Sequence, residues 1–184
     1  MKKRSARAPR IAGGRWRGRA LDVPPGARPT SARAREALFD ILQDSIRGSR
    51  FLDLFAGSGA VGLEALSRGA SAAVFVEGES RMLEKNLSTF GAEPEEFEVV
   101  RDDARTALSA LAGRGATFDF VFADPPYSLE GALSKRLGAL LAPGGRLVVQ
   151  TDSGASAPEF PGLSRLDRRA YGRNVFWFFG RPAG

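Results

Sequence analysis

At 184 residues, with 43% of them hydrophobic and a net charge of +6, the chain can bury one substantial core and has the composition of an ordinary globular protein. It contains neither cysteine nor histidine, which excludes disulfides, thiolate or imidazole metal sites and every Ser-His or Cys-His nucleophile. No metal is expected, and catalysis must use carboxylates, backbone groups, amines, hydroxyls or a bound cofactor. No apolar run is long enough to span a membrane, and the arginine-rich start lacks the apolar region of a secretory signal, so a cytoplasmic protein is expected.

In chain order, residues 1–29 read as a basic arm with one short hairpin, and residues 30–184 as a single folded domain. Through Arg35 there are 11 Lys/Arg against one acid, Asp22, leaving 16 basic and 20 acidic residues beyond. That asymmetry is an electrostatic footprint for a polyanion, with nucleic acid the first candidate; a solvated tail is the plainer reading. In "RIAGGRWRGRAL" the arginines Arg10, Arg15, Arg17 and Arg19 interleave with Trp16, a pattern that stacks on bases as well as pairing with phosphates. "TSARAREALFDILQDSIRG" reads as a helix capped by Thr30 or Ser31, with Leu38, Phe39, Leu42 and Ile46 on one face and Gly48 at its end.

From residue 50 the pattern alternates between strand and helix. Strands are predicted at 51–55, 73–77, 98–101, 119–123 and 146–150, mostly as continuous apolar runs, with helices near 60–68, 79–90, 104–112 and 130–141. Such alternation predicts an α/β fold with a doubly wound, mostly parallel sheet. "LSRLDRRAY" and "NVFWFFG", joined at Gly172-Arg173, read as two antiparallel strands closing one edge.

"FLDLFAGSGAVGLEAL" places Gly57, Gly59 and Gly62 in GxGxxG spacing between a strand and a helix. Glu77, 20 residues after Gly57, ends the next strand, where an acid can accept hydrogen bonds from both ribose hydroxyls. These features point to a nucleoside-bearing cofactor, NAD or S-adenosylmethionine. Asp53 is awkward beside a pyrophosphate but suits a ligand with an ammonium and a sulfonium, unless backbone N–H groups of its own loop satisfy it. In "VVRDDAR", Asp103 is the candidate for an adenine amino group and Asp102 its competitor. Phe55 and Ala104 complete the cofactor-facing set.

"FDFVFADPPYS" ends a strand in an acid, two prolines and a tyrosine. Proline has no N–H and fixes φ, so the strand must stop and leave as a stiff elbow holding Asp124 at the carboxyl end of the sheet, where ligands bind. An exocyclic amine is a poor nucleophile, its lone pair being delocalised into the ring. The Asp124 carboxylate and a carbonyl of the Pro125-Pro126 elbow would accept its N–H groups, with Tyr127 stacked on the base.

The glycine loop, Glu77, "DDA" and "DPPY" resemble class I S-adenosylmethionine-dependent methyltransferases that act on exocyclic amines. With "RIAGGRWRGRAL…RPTSARAREALFDIL" and "YGRNVFWFF" added, the chain is similar, over roughly residues 10–180, to bacterial RsmD-type 16S ribosomal RNA (guanine-N2)-methyltransferases. The resemblance implies a seven-stranded sheet with its last strand antiparallel and S-adenosylmethionine as methyl donor. Its implied acceptor is a guanine of 16S rRNA, met as naked RNA or in the small ribosomal subunit, by a monomer. Arg28, Thr30 and Arg33 join the arm residues as RNA contacts. Three other readings stand beside it: a DNA adenine-N6 methyltransferase, which shares "DPPY"; an NAD-dependent oxidoreductase, which lacks a Tyr-x-x-x-Lys arrangement here; and a non-catalytic RNA-binding protein on the same fold.

Overall fold

A computed structural model of the chain describes residues 8–24, 30–125 and 132–182. Seven strands form one sheet: β1 Arg50–Leu54, β2 Ala72–Val76, β3 Phe97–Val100, β4 Phe118–Ala123, β5 Leu141–Asp152, β6 Ser164–Tyr171 and β7 Asn174–Gly180. Among the described residues five α-helices accompany them: α1 Ala32–Ile46, α2 Ala60–Ser67, α3 Arg81–Phe90, α4 Ala104–Gly113 and α5 Ala132–Ala139. The sheet order is β3-β2-β1-β4-β5-β7-β6, with β1 to β5 parallel and β7 antiparallel to both of its neighbours. This is the predicted α/β architecture. No described helix is long and apolar enough to cross a membrane.

The inner strands β1, β2, β4 and β7 and the end of β5 are mostly apolar on both sides because both sides are covered, whereas β6, at one edge, is largely exposed. Phe51, Phe75, Phe120, Phe122, Phe176 and Phe178 face one core with α1, α2 and α3. Leu52, Leu54, Val121, Val149, Trp177 and Phe179 face the other, with α4 and α5. Ser31 caps α1, its side chain accepting from the Ala34 N–H, and the predicted face of Leu38, Phe39, Leu42 and Ile46 is buried. α2 approaches the sheet so closely that a Cβ on Gly62 would lie 2.2 Å from Cε1 of Phe75. That is the packing reason for the last glycine of the motif. β5 begins five residues before its predicted start: Phe118 pairs with Leu141 and Phe120 with Arg146, so the residues between, including Pro143-Gly144-Gly145, form a bulge.

Among the described residues the arm has a single isolated bridge, Arg10 to Ala20, around a 3₁₀ turn at Gly14–Trp16. It does not hang free, because Ile11, Trp16 and Leu21 belong to the α1–α3 core. Its anchor is Glu64, fully buried in the middle of α2. One Glu64 oxygen accepts from the Ala12 N–H and from Arg35 Nε; the other accepts from the Gly13 N–H and from Arg68 Nε. Arg35, also fully buried, donates in addition to the carbonyls of Thr30 and Arg10. Nothing in the predicted pattern singled out this pair, although a lone acid inside "AVGLEALS", a helix apolar all round, is the signal that would have found it.

Candidate active site

The chain leaves β1 toward β2 on one side, while β4 lies on the other, so a crevice opens at the carboxyl ends of these strands where the strand order reverses. Three carboxylates gather there, one from each strand end. Asp53, on β1, is 2% exposed, and its Oδ2 accepts from the Gly62 N–H at 2.8 Å, fastening the start of α2 to the strand. Burial raises its pKa to about 7, against the pull of the Gly62 bond and with help from the charges of Asp124 and Glu77. Asp124 follows the last residue of β4, as the proline elbow requires, and is partly buried with Pro125. Burial, then the charge of Asp152, raises its pKa to about 6, while Gln150 Nε2, donating to Oδ2 at 2.9 Å, pulls it back. Pro126 and Tyr127, the rest of the elbow, lie outside the described residues.

Glu77, just past β2, has both oxygens engaged, Oε2 by the Gly57 N–H at 2.7 Å and Oε1 by the Glu79 N–H at 3.0 Å. Each oxygen keeps a second lone pair, so this fixes the carboxylate without exhausting it. Gly57 has φ +55°, and a Cβ there would meet nothing within 4 Å, so its face opens onto free space. Gly59 differs: with φ +79°, its Cβ would lie 2.4 Å from Cδ1 of Leu83. Its missing side chain therefore serves the contact between the loop and α3. Phe55 adopts a left-handed φ of 67°, a strained conformation for a bulky residue at the head of this loop.

These residues fit a cationic, nucleoside-bearing cofactor. Asp124 and Glu77 both oppose the charge of Asp53 beside an open glycine face, and a bound sulfonium and ammonium would relieve that repulsion. Asp103 has another occupation: it is the N-cap of α4 and accepts from the Arg105 and Thr106 N–H groups and from the Thr106 hydroxyl. Among the described residues Asp102 accepts only from the Asp103 N–H, and Ala104 is buried as the first residue of α4.

The predicted RNA contacts divide. Trp16 is no stacking platform for a base, because its ring is 6% exposed and packs edge-on against Phe90. Thr30 is buried too, its hydroxyl donating to Gln150 Oε1. Arg15 lies over Trp16 and pairs with Glu96 at 2.7 Å. Arg19 lies over Phe90 and donates to the carbonyls of Thr89 and Phe90. Arg10 donates to the Gly18 carbonyl. Arg17 and Arg33 are exposed, with no side-chain partner among the described residues, and Arg28 lies outside them. Sequence reading missed the buried role of Trp16 because Trp, Arg and Gly in series look alike whether they face a base or a helix.

The family described as Conserved hypothetical protein 95 matches residues 9–180. The Ribosomal RNA small subunit methyltransferase D of Escherichia coli K12 is 40% identical over 185 residues, covering 95% of this chain and 90% of that protein. The chain belongs to this family. A solved structure of a hypothetical protein from Thermus thermophilus is 40% identical, with a TM-score of 0.79, covering 92% of this chain and 97% of that one. The fold is shared beyond the family: a SAM-dependent methyltransferase from Agrobacterium tumefaciens, 16% identical, superposes with a TM-score of 0.64 over 86% of this chain and 64% of its own. Family membership makes the chain a methyltransferase, on a fold shared with S-adenosylmethionine-dependent enzymes.

Proposed function

We propose that the protein methylates the exocyclic N2 amine of a guanine in 16S rRNA, acting as a cytoplasmic monomer with S-adenosylmethionine as donor. The observation that carries this reading is Asp124, held by Gln150 at the end of β4 in the same crevice as Asp53, Glu77 and Gly57. When bound, the cofactor supplies an electrophilic methyl group on a sulfonium. Asp53 faces its positive charge, Glu77 takes the ribose hydroxyls, and Gly57 lets the backbone approach. The Asp124 carboxylate and a carbonyl of the elbow accept the two N–H bonds of the amine. They turn its lone pair toward the methyl group and raise electron density on nitrogen. Transfer would leave the donor sulfur as a neutral thioether holding the electron pair of the broken bond, and the nitrogen, still bearing both hydrogens and now positive, would lose one proton to Asp124 or to water. Tyr127 stacks on the base in this arrangement, and Pro125-Pro126 hold the elbow stiff.

The test is direct. The full chain is incubated with methyl-labelled S-adenosylmethionine and with 16S rRNA or small subunits from a strain lacking the gene, and the label is mapped. Label on guanine N2 is the expected outcome. Label on adenine, or on DNA alone, would replace the reading with that of an adenine-N6 enzyme, and no transfer to any nucleic acid would leave an RNA-binding protein.

Glu77→Ala is expected to weaken S-adenosylmethionine binding measured by calorimetry, because the ribose acceptors and the brace on the Gly57 N–H are lost together. Affinity equal to wild type would place the cofactor elsewhere.

The RNA contribution of the arm is best tested by substitution, since truncation would remove Ile11 and Trp16 from the core. Arg17 in the arm and Arg33 at the start of α1 are exposed and have no side-chain partner among the described residues, so Arg17→Ser and Arg33→Ser should each flatten the log–log salt dependence of RNA binding by about 0.7 if each contacts one phosphate of a single strand. An unchanged slope in the double variant would show that neither touches the RNA.

A further inference from the structure

Gln150 stands near the end of β5, 7% exposed, directly after the apolar run Leu147-Val148-Val149. A buried amide must find partners for both of its ends, and here the two ends have different partners. Nε2 donates to Asp124 Oδ2 at 2.9 Å, and Oε1 accepts from the Thr30 hydroxyl at 2.9 Å. Chemistry fixes this orientation. An ionised carboxylate only accepts, so the amide must present its N–H to Asp124, and the Thr30 hydroxyl, which can donate or accept, supplies the proton that Oε1 then needs. Thr30 is itself held, its carbonyl accepting from the buried Arg35, so the segment leading into α1 reaches the site carboxylate through two hydrogen bonds.

We infer that Gln150 is a positioning residue for methyl transfer: its amide, oriented by Thr30, occupies one oxygen of Asp124 and turns the other toward the exocyclic amine. The inference rests on the amine-methylation reading above. Its electrostatic side is that Gln150 is the hydrogen-bond donor to a carboxylate whose charge is disfavoured by burial and by Asp152 from β5, and which itself disfavours the charge of Asp53 from β1. Removing that donor leaves Asp124 looser and harder to ionise.

Four variants test it: Gln150→Leu, Gln150→Glu, Thr30→Val and Thr30→Ser. Gln150→Leu is expected to lower the single-turnover rate ~10- to 10²-fold, as mispositioning of a site group does, and to shift the acid limb of its pH profile upward, with S-adenosylmethionine affinity within about twofold of wild type. Gln150→Glu should shift the limb further by adding a carboxylate. Thr30→Val frees the amide to turn and should give part of the loss, which Thr30→Ser, keeping the hydroxyl, should restore. The Asp124 carboxyl titration, followed by NMR in the RNA-free protein, reads the same hydrogen bond without any methyl acceptor. A Gln150→Leu variant whose Asp124 titration is unmoved overturns the inference whatever the substrate proves to be. So does a lowered rate with an unmoved pH limb and a lowered melting temperature, which is the mark of a purely structural amide. Failure of wild type to label guanine, with the Asp124 titration shifted in Gln150→Leu, would instead count against the substrate reading and leave the positioning role standing.

Discussion

Asp124→Ala is expected to lower the single-turnover methylation rate ~10²–10³-fold, the usual cost of losing a positioned polar group that acts in the transition state. The carboxylate does two things in the proposed chemistry, accepting an N–H bond and drawing off a proton, and alanine removes both. Asparagine keeps an acceptor oxygen but no useful base, so Asp124→Asn should fall between alanine and wild type, with S-adenosylmethionine affinity little changed in either. The pH dependence separates the roles further. Burial and Asp152 place the Asp124 pKa at about 6, and the ionised form is the acceptor, so the wild-type rate should climb as pH rises through about 6. Asp124→Asn should lose that limb. Stability runs the other way. The folded state raises this pKa above the ordinary carboxylate value, so the fold favours the protonated form. The group's contribution is therefore fully present at low pH and declines as pH rises from about 4 through about 6. Asp53, raised to about 7 chiefly by burial, acts in the same direction over a wider range. A rate that increases between pH 5 and 7 while the melting temperature falls is the expected signature. Near-wild-type turnover by Asp124→Ala would remove the residue from the mechanism.

Glu64→Ala should cost about 3–5 kcal/mol of unfolding free energy, measured by denaturant titration, because it strips the partner from a buried cation. Arg35 is fully buried, and the Ala12 and Gly13 N–H groups rely on the same carboxylate. All would be left in place with their acceptor gone. Glu64→Gln should be no remedy, since its NH2 group would face donors. The double variant Glu64→Leu/Arg35→Met, which removes both charges, should be less destabilised than Glu64→Ala, as buried pairs often are when replaced whole. A loss below about 1 kcal/mol in Glu64→Ala would mean that water or backbone shifts replace the carboxylate, and the pair would not be what holds the arm.

The sheet was legible in the sequence because a strand covered on both faces must be apolar throughout, and Phe51, Leu52 and Leu54, or Leu147, Val148 and Val149 in "RLVVQ", are read at sight. The loops were legible because glycine spacing and the Asp124-Pro125 elbow are backbone constraints written in residue type. What stayed hidden depended on residues far apart in the chain, or on which of two local partners a side chain takes. Asp103 can cap a helix or meet a ligand, and only the position of Thr106 relative to it decides. Trp16 can meet a base or Phe90, a residue 74 positions later. Gln150 looked like the polar end of a strand, and its two partners come from the end of β4 and from the residue before the α1 cap.

The place of β7 has a consequence for how the chain is made. The strand nearest the C-terminus, Asn174–Gly180, is not an edge: it lies between β5 and β6 and pairs with both along its length. During synthesis, every strand up to β6 emerges before the one that must separate it from β5. A nascent chain thus holds the cofactor half of the sheet, β3-β2-β1-β4, while the half that carries Gln150 lacks its inner partner. Closure depends on pairings of high sequence separation, such as Ser31 with Asn174, which chain entropy opposes until β7 has been made. A strand made after β6 is thus needed to join β6 to the rest of the sheet.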